Sequence, residues 1–343
     1  MSVIDFNHNG EKLVYAVNDS GHRRSYLDIF EGMFGLDILV GRSSIPTLFR
    51  LIRAKTILFA TLDDHMFSFV FVVSVRSLFN KPTVALFLRA EKCFESSKWH
   101  YFFKRITFSL IRNFRGLNIA TITPFSSAPQ YKKIANMGLY DPQYWDIYDD
   151  PSFNKAKSTN LSLMIESRSN GRKICFILGS LTSIKGLSFI NDTLEKYPEI
   201  MSQFLFVFAG KSTVFESKIM GSLKEKDTLI VDRFISNDEM SSAYTVADII
   251  WCCYAPEYNQ ASGIFGRAIQ LKKHVIVREN SIISQFAEKE NLEGLCLVKY
   301  SDIESLFDCL MNNDYEFNYI QYDIFRDWKI QFYNKVNKSL VLR

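Results

Sequence analysis

Residues 173–186 read KICFILGSLTSIKG, a short apolar run that ends in one glycine and passes through a polar turn to a second. The run is too short for a helix, and its content suits a strand buried on both faces. The turn opens a helical pattern over 185–197. The same succession repeats downstream. Strands fit Phe204–Ala209, Thr228–Val231, Asp248–Cys252 and His274–Val277, and helices fit 214–224, 237–246, 263–271 and 281–290. Strands that alternate with helices build βαβ units and a parallel sheet.

The upstream half follows the same pattern. Lys12–Val17, Asp37–Val40, Thr56–Ala60, Thr83–Leu88 and Leu117–Ile122 read as strands, with helical patterns over 23–33 and 97–113. Between the halves, Asp149–Arg172 contains DDP, STN and SRSNG, which is turn and linker chemistry. The expected fold is α/β, with two Rossmann-like doubly wound domains facing a cleft. The first spans 1–155 and the second 170–321. The amphipathic segment 322–343 is expected to be helical and to pack back on the first domain.

Composition agrees with a packed globular chain. Of 343 residues, 47% are hydrophobic and 30 are Phe, while Gly (15) and Pro (8) are scarce. The net charge of +4 sits in the first half: residues 1–150 hold 18 Lys/Arg against 14 Asp/Glu, and residues 151–343 hold 23 of each. Residues 92–133 hold eight basic residues and one acidic, Glu95. Such a local field favours an anionic partner. The six cysteines show no metal-ligand spacing and are expected to be buried, reduced thiols. The start, MSVIDFNHNGEK, lacks the pattern of a signal peptide. The longest apolar stretch, Phe67–Val75, is interrupted by Ser68 and Ser74 and is far short of the ~20 residues that span a bilayer. These features point to a cytoplasmic protein.

Ligands of open parallel sheets bind where strand ends lead into helix N-termini. Four loops of the second half have that placement. In the first, Lys185 with Gly186 suits a diphosphate, although an ordinary turn with a solvated lysine is equally compatible. The second is Ala209-Gly210-Lys211, where Gly210 also suits a plain turn. The third runs from Val231 through Arg233 and Ile235 into a capped helix at Ser236–Glu239. The fourth, Tyr254 to Ala268, enters a helix at Ser262-Gly263, which is either an anion site or a simple serine cap.

Taken in order, G-x5-K-G, F-A-G, V-x-R-F-I, A-D and S-G-x3-R-A followed by His274-Val275-Ile276 resemble the C-terminal domain of family 4 glycosyltransferases. The match covers about 125 residues. The resemblance implies the two-domain GT-B fold and transfer of a sugar from a UDP- or GDP-linked donor to a glycan or polyprenyl-linked acceptor. Surface polysaccharide synthesis, such as capsule or lipopolysaccharide, is the implied setting. It further implies a retaining reaction that needs no metal and no cofactor beyond the donor. By position, Lys185, Gly210, Ser262 and Gly263 would serve the donor phosphates, Arg233 and Ile235 the base, and Arg267 would line the donor site. The Glu-x7-Glu pair of many relatives is broken here. Glu257 stands first, and the second position is Phe265 by spacing or Arg267 by alignment on the following Ala268. A non-catalytic nucleotide-sugar-binding scaffold of the same fold is the alternative.

In the first half, relatives present glycine in the first loop, here Gly21, and histidine after the third strand, here His65. Beside it Asp64 would hold the histidine or act as base, or Asp63 and Asp64 simply cap the next helix. The segment 97–115, SKWHYFFKRITFSLIRNFR, mixes aromatic and basic residues. It either covers the first sheet, contacts an anionic membrane at the inner face, or does both. No nucleic-acid module is recognisable.

Overall fold

The computed structural model describes residues 10–19, 22–64, 66–95, 98–148, 158–312 and 323–341. It divides into two compact units, Met1–Pro142 with Arg326–Arg343, and Gln143–Phe325.

The first unit holds six parallel strands, β1 (Lys12–Ala16), β2 (Asp37–Val40), β3 (Thr56–Phe59), β4 (Thr83–Phe87), β5 (Leu117–Thr121) and β6 (Met137–Gly138), in the order β2-β1-β3-β4-β5-β6. The middle strands β3 and β4 are buried at every residue, which is why they read as unbroken apolar runs rather than alternating ones. Helices α1 (His22–Phe34), α2 (Ile45–Arg53), α3 (Met66–Leu78) and α4 (Trp99–Ile111) connect them. The C-terminal helix Asp323–Leu340 joins this unit through aromatic stacking, with Phe332 on Phe30 at 5.8 Å and Trp328 on Tyr140 at 5.0 Å.

Neither α2 nor α3 stands out in the sequence. Pro46 starts α2, which is short, and α3 (MFSFVFVVSVRSL) has no polar face to produce a helical period. Its one charge, Arg76, is buried and acts as a staple. The guanidinium donates to the carbonyls of Leu51 (2.8 Å), Ala54 (2.7 Å) and Pro82 (2.7 Å) and to Thr83 Oγ1 (2.8 Å). It thereby satisfies carbonyls at the end of α2 that a helix terminus leaves without partners. Burial lowers its pKa to about 10.

The second unit has strands β7 (Lys173–Leu178), β8 (Phe204–Ala209), β9 (Leu229–Val231), β10 (Ile249–Cys252), β11 (His274–Arg278) and β12 (Leu295–Val298), all parallel, in the order β12-β11-β10-β7-β8-β9. Its helices are α5 (Asn160–Ser169), α6 (Leu187–Lys196), α7 (Ile200–Gln203), α8 (Ser217–Lys224), α9 (Asn237–Val246), α10 (Gly263–Gln270), α11 (Ile282–Lys289) and α12 (Ile303–Met311). The helix shared by the two units is α13 (Asp323–Leu340). Serine and threonine caps start several of them. Thr159, Ser236 and Ser281 each form a capping box with the residue three positions on.

The division falls after Pro142, earlier than the expected boundary near 155. Part of the expected linker is also helical, as α5. One expectation is corrected outright. Cys296 of β12 and Cys309 of α12 are joined as a disulfide, so only Cys93, Cys175, Cys252 and Cys253 are free, all four buried.

The strand order reverses in each sheet between two parallel neighbours, β1 and β3 in the first and β7 and β10 in the second. These are the points where open α/β sheets leave a crevice at the carboxyl ends of the strands.

Arg76→Met would strand two buried carbonyls, those of Leu51 and Ala54, and leave the Pro82 carbonyl only its bond from Ile57 N. Unit 1 should lose about 2–4 kcal/mol, visible as an earlier urea transition. Lys55→Met, at an exposed position, should move it by under about 0.5 kcal/mol. Equal shifts for the two variants would refute the staple.

Candidate functional site

At the crevice of the second sheet, β7 ends in Gly179 with φ +94°, a conformation that glycine adopts freely. A side chain there would meet Ile264 Cδ1 at 3.4 Å and Lys185 Nζ at 3.8 Å. The neighbouring Gly210 ends β8. A methyl on it would lie 1.8 Å from the Gly179 carbonyl oxygen. Gly210 is therefore required by the close approach of two strand ends.

The turn after Gly179 buries Lys185. Its ammonium lies 4.3 Å from the centre of the Tyr254 ring, a cation–π contact. No carboxylate pairs with it among the described residues. Burial lowers its pKa to about 8. Thr182 Oγ1, in the same turn, is buried without a hydrogen-bond partner. The backbone is fixed while these two groups stay unused. Trp251 Nε1 donates to the Lys185 carbonyl at 2.6 Å, and Ser183 N donates to the buried Glu216 carboxylate at 2.8 Å. Gly186, at φ +74°, passes so near the Cys253 carbonyl that a Cβ would sit 2.9 Å away.

Tyr254 joins this turn to the loop after β10. Its hydroxyl lies 3.1 Å from Ser262 Oγ. Ser262 caps α10 by accepting from Phe265 N, so the serine-cap reading of its hydroxyl is realised. The amides of Gly263 and Ile264 have no partner among the described residues. They stand at a half-buried helix start whose dipole attracts anions. Arg278, at the end of β11, donates from Nε to the Tyr254 carbonyl (3.0 Å) and from Nη2 to Asn259 Oδ1 (3.4 Å). Burial lowers its pKa. The sequence reading passed over Arg278, although a basic residue closing the strand HVIVR was a legible signal.

Other expected donor residues are engaged elsewhere. Arg233 is exposed and forms a bidentate pair with Glu239 (2.9 and 2.6 Å). Its neighbour Ile235 is half-buried. Arg267 donates twice to Asp146 (3.2 and 2.8 Å), and Gln270 bonds the Gln143 carbonyl and Ile147 N. Both thereby anchor the segment 143–147. Glu257 is exposed, whereas Phe265 is fully buried.

At the crevice of the first sheet, Asp63 and Asp64 follow β3. Asp63 accepts from Leu88 N, Arg89 N and Lys104 Nζ and so braces two loops. Asp64 Oδ1 accepts from Arg23 Nη2 at 2.6 Å, while Oδ2 is buried without a partner among the described residues. Gly21 and His65 lie outside the described residues. Nearby, burial raises the Glu91 pKa to about 8.

The second unit thus presents a buried ammonium without a carboxylate partner among the described residues, an orphaned hydroxyl and a capped helix start, which are groups that would suit an anion. Sulfate, whose charge is constant in this range, tests it. Lys185 must be protonated to hold an anion, and its folded pKa of about 8 lies below the ordinary 10.5. Sulfate binding should therefore weaken from about pH 7 to about pH 9.5, by up to roughly tenfold per unit above the pKa. Lys185→Met should remove that slope in thermal-shift titrations, and a slope surviving in this variant would assign the site elsewhere.

No protein-family model matches this sequence, and neither does any curated protein. Solved structures do. Anabaena Alr3699/HepE in complex with UDP is similar at TM-score 0.62 and 11% identity, covering 96% of this chain and 98% of that one. A glycosyltransferase from Rickettsia africae ESF-5 is similar at 0.58 and 13%, covering 97% and 95%. WaaG, a glycosyltransferase involved in lipopolysaccharide biosynthesis, is similar at 0.52 and 12%, covering 96% and 95%. At these identities the likeness shows the fold, the two Rossmann-like domains of the GT-B glycosyltransferases.

Proposed function

We propose that this protein is a glycosyltransferase that moves a sugar from a UDP- or GDP-linked donor to a glycan or polyprenyl-linked acceptor in surface polysaccharide synthesis. The observation that carries the reading is the buried Lys185 ammonium, without a carboxylate partner among the described residues, at the carboxyl end of β7. The chemistry of a nucleotide-sugar explains such a group. Its bond breaks to leave a diphosphate whose growing charge is met by a fixed cation and by the amides at Gly263 and Ile264. That arrangement asks for no metal. The fold shared with the complex of HepE and UDP supports the donor class.

In this reading Gly179 and Gly210 keep the strand ends bare so that phosphate oxygens approach the backbone. The backbone from Arg233 to Ile235 borders the base. Glu257 and Asp64 bind sugar hydroxyls, the free Oδ2 of Asp64 being suited to accept one. His65, beside Asp64 in sequence, would donate to the sugar or phosphate, and Gly21 would leave room in the first loop. Transfer is retaining, so no separate base is required. The protein works in the cytoplasm at the inner membrane face, with peripheral contact through 97–115.

Phe265 in place of a second glutamate favours one other reading, a nucleotide-sugar-binding scaffold without turnover. A panel of UDP- and GDP-sugars separates the two. A donor at 100 times its dissociation constant should add ~2.7 kcal/mol of stability. Slow donor hydrolysis without acceptor, lost in Lys185→Ala, is the expected result. Tight binding with no hydrolysis or transfer would establish the scaffold, and no stabilisation by any donor would dismiss both.

A further inference from the structure

The first unit carries an apolar surface that the donor chemistry does not use. In its sheet order, the steps from β2 to β3, β3 to β4 and β4 to β5 all run in one direction, while β1 to β2 runs in the other. Right-handed crossovers therefore place α2, α3 and α4 in one layer and α1 on the opposite face. Contacts agree, since α2 packs on α3 and Phe69 of α3 meets Phe108 of α4 at 6.3 Å.

Each helix of the layer turns an apolar stripe to solvent. On α3 the stripe is Phe67, Phe71 and Leu78, with Phe67 84% and Leu78 82% exposed. On α4 it is Trp99, Phe103 and Leu110, with Trp99 77% exposed. On α2 it is Ile45 and Phe49. The spacings of four, seven and eleven residues keep each set on one side of its helix. Inward positions are already filled, by Phe69, Val72, Val73 and Arg76 on α3 and by Phe108 and Ile111 on α4. Exposed apolar stripes on three neighbouring helices mark an interaction surface.

Charge identifies the occupant. The three helices contain no Asp or Glu. Around them Lys98, Arg115, Lys132 and Lys133 are exposed, and Arg105 lies over the Phe102 ring at 5.4 Å. A second copy docked symmetrically would set like charges against each other. An anionic lipid surface satisfies both features, with headgroups for the basic rim and acyl chains for the aromatic stripes. We infer that the α2–α3–α4 layer as a whole, with α3 contributing as much as α4, is the docking face for an anionic membrane. This deepens the membrane reading above, which placed the contact in 97–115 alone, and is independent of the donor site.

The test is flotation of the full chain with vesicles of phosphatidylcholine, alone or mixed equally with phosphatidylglycerol. Binding is expected to the mixed vesicles and to weaken with salt. Phe67→Ser/Phe71→Ser on α3 and Trp99→Ser/Phe103→Ser on α4 should each reduce partitioning at least about tenfold. Val214→Ser/Phe215→Ser, an equally exposed apolar pair of the second unit, should not. Trp145, Trp251 and Trp328 are buried, so a blue shift of Trp99 emission reports insertion directly. If only the α4 variant loses binding, the three-helix face is refuted while the membrane reading survives. If the unaltered chain fails to bind, both fall. Self-association in buffer, abolished by the α3 variant, would reassign the face to a second copy. Thermal stabilisation by UDP, followed in the same variants, keeps this outcome separate from that of the donor site.

Discussion

A lysine side chain taken out of water normally finds a carboxylate or loses its proton, because burying an unpaired ammonium is costly. Lys185 meets an aromatic face instead. The turn that holds it is pinned at the Lys185 carbonyl by Trp251, at Ser183 N by Glu216 and at Gly186 by the close Cys253 carbonyl. All of these restraints act on backbone, so the ammonium and the Thr182 hydroxyl remain uncommitted. The bare glycines 179 and 210, the Tyr254 bridge and the start of α10 make sense around that constraint. Each either leaves space beside the ammonium or fixes the wall next to it. In energetic terms the turn is held in place by interactions that do not themselves neutralise the ammonium.

The linkage has a definite sign. Because the folded pKa of Lys185 is lowered to about 8 from 10.5, the unfolded chain binds the proton more tightly. Below pH 8 folding carries the desolvation penalty in full, and the penalty is relieved as pH rises from 8 towards 10.5. An anion reverses this preference by favouring the charged form. The site is therefore least stable in the state in which it is best prepared to bind, a common arrangement at functional positions.

Strands were legible because a parallel strand buried on both faces is an unbroken apolar run, as in KICFIL and FLFVFA. The same rule hid α3, whose outward face is as apolar as its inward one, so that no period distinguishes it from a strand or a core segment. Of the site, the loops were legible and the partners were not. The capping box Ser236–Glu239 was visible as a helix start, yet nothing local announced that Glu239 would also take both nitrogens of Arg233. Arg267 stands on the helix that the fourth loop opens, but its partner Asp146 lies 121 residues away in sequence. Spacing reports which residue types reach a loop, whereas commitment to partners is decided by segments that only the tertiary fold brings near.

Phe265 shows what such a commitment does to a motif. The helix GIFGRAIQ sets Gly263 and Gly266 against the segment at Gln143 and Tyr144. A Cβ on Gly266 would fall 2.5 Å from the Gln143 carbonyl. Phe265 lies edge-on to Tyr144 at 5.8 Å and near Phe286 at 6.3 Å, with no exposed surface. A glutamate placed there would bury a carboxylate among aromatic rings, at a penalty of several kcal/mol. The missing second acid is thus built into the packing of α10 rather than being a single exchange at an open position. A ribose bound beside this helix would have to be recognised by the amides of Gly263 and Ile264 or by the exposed Glu257. Glu257 and the amides of Gly263 and Ile264 are polar groups of this loop that packing leaves unspent.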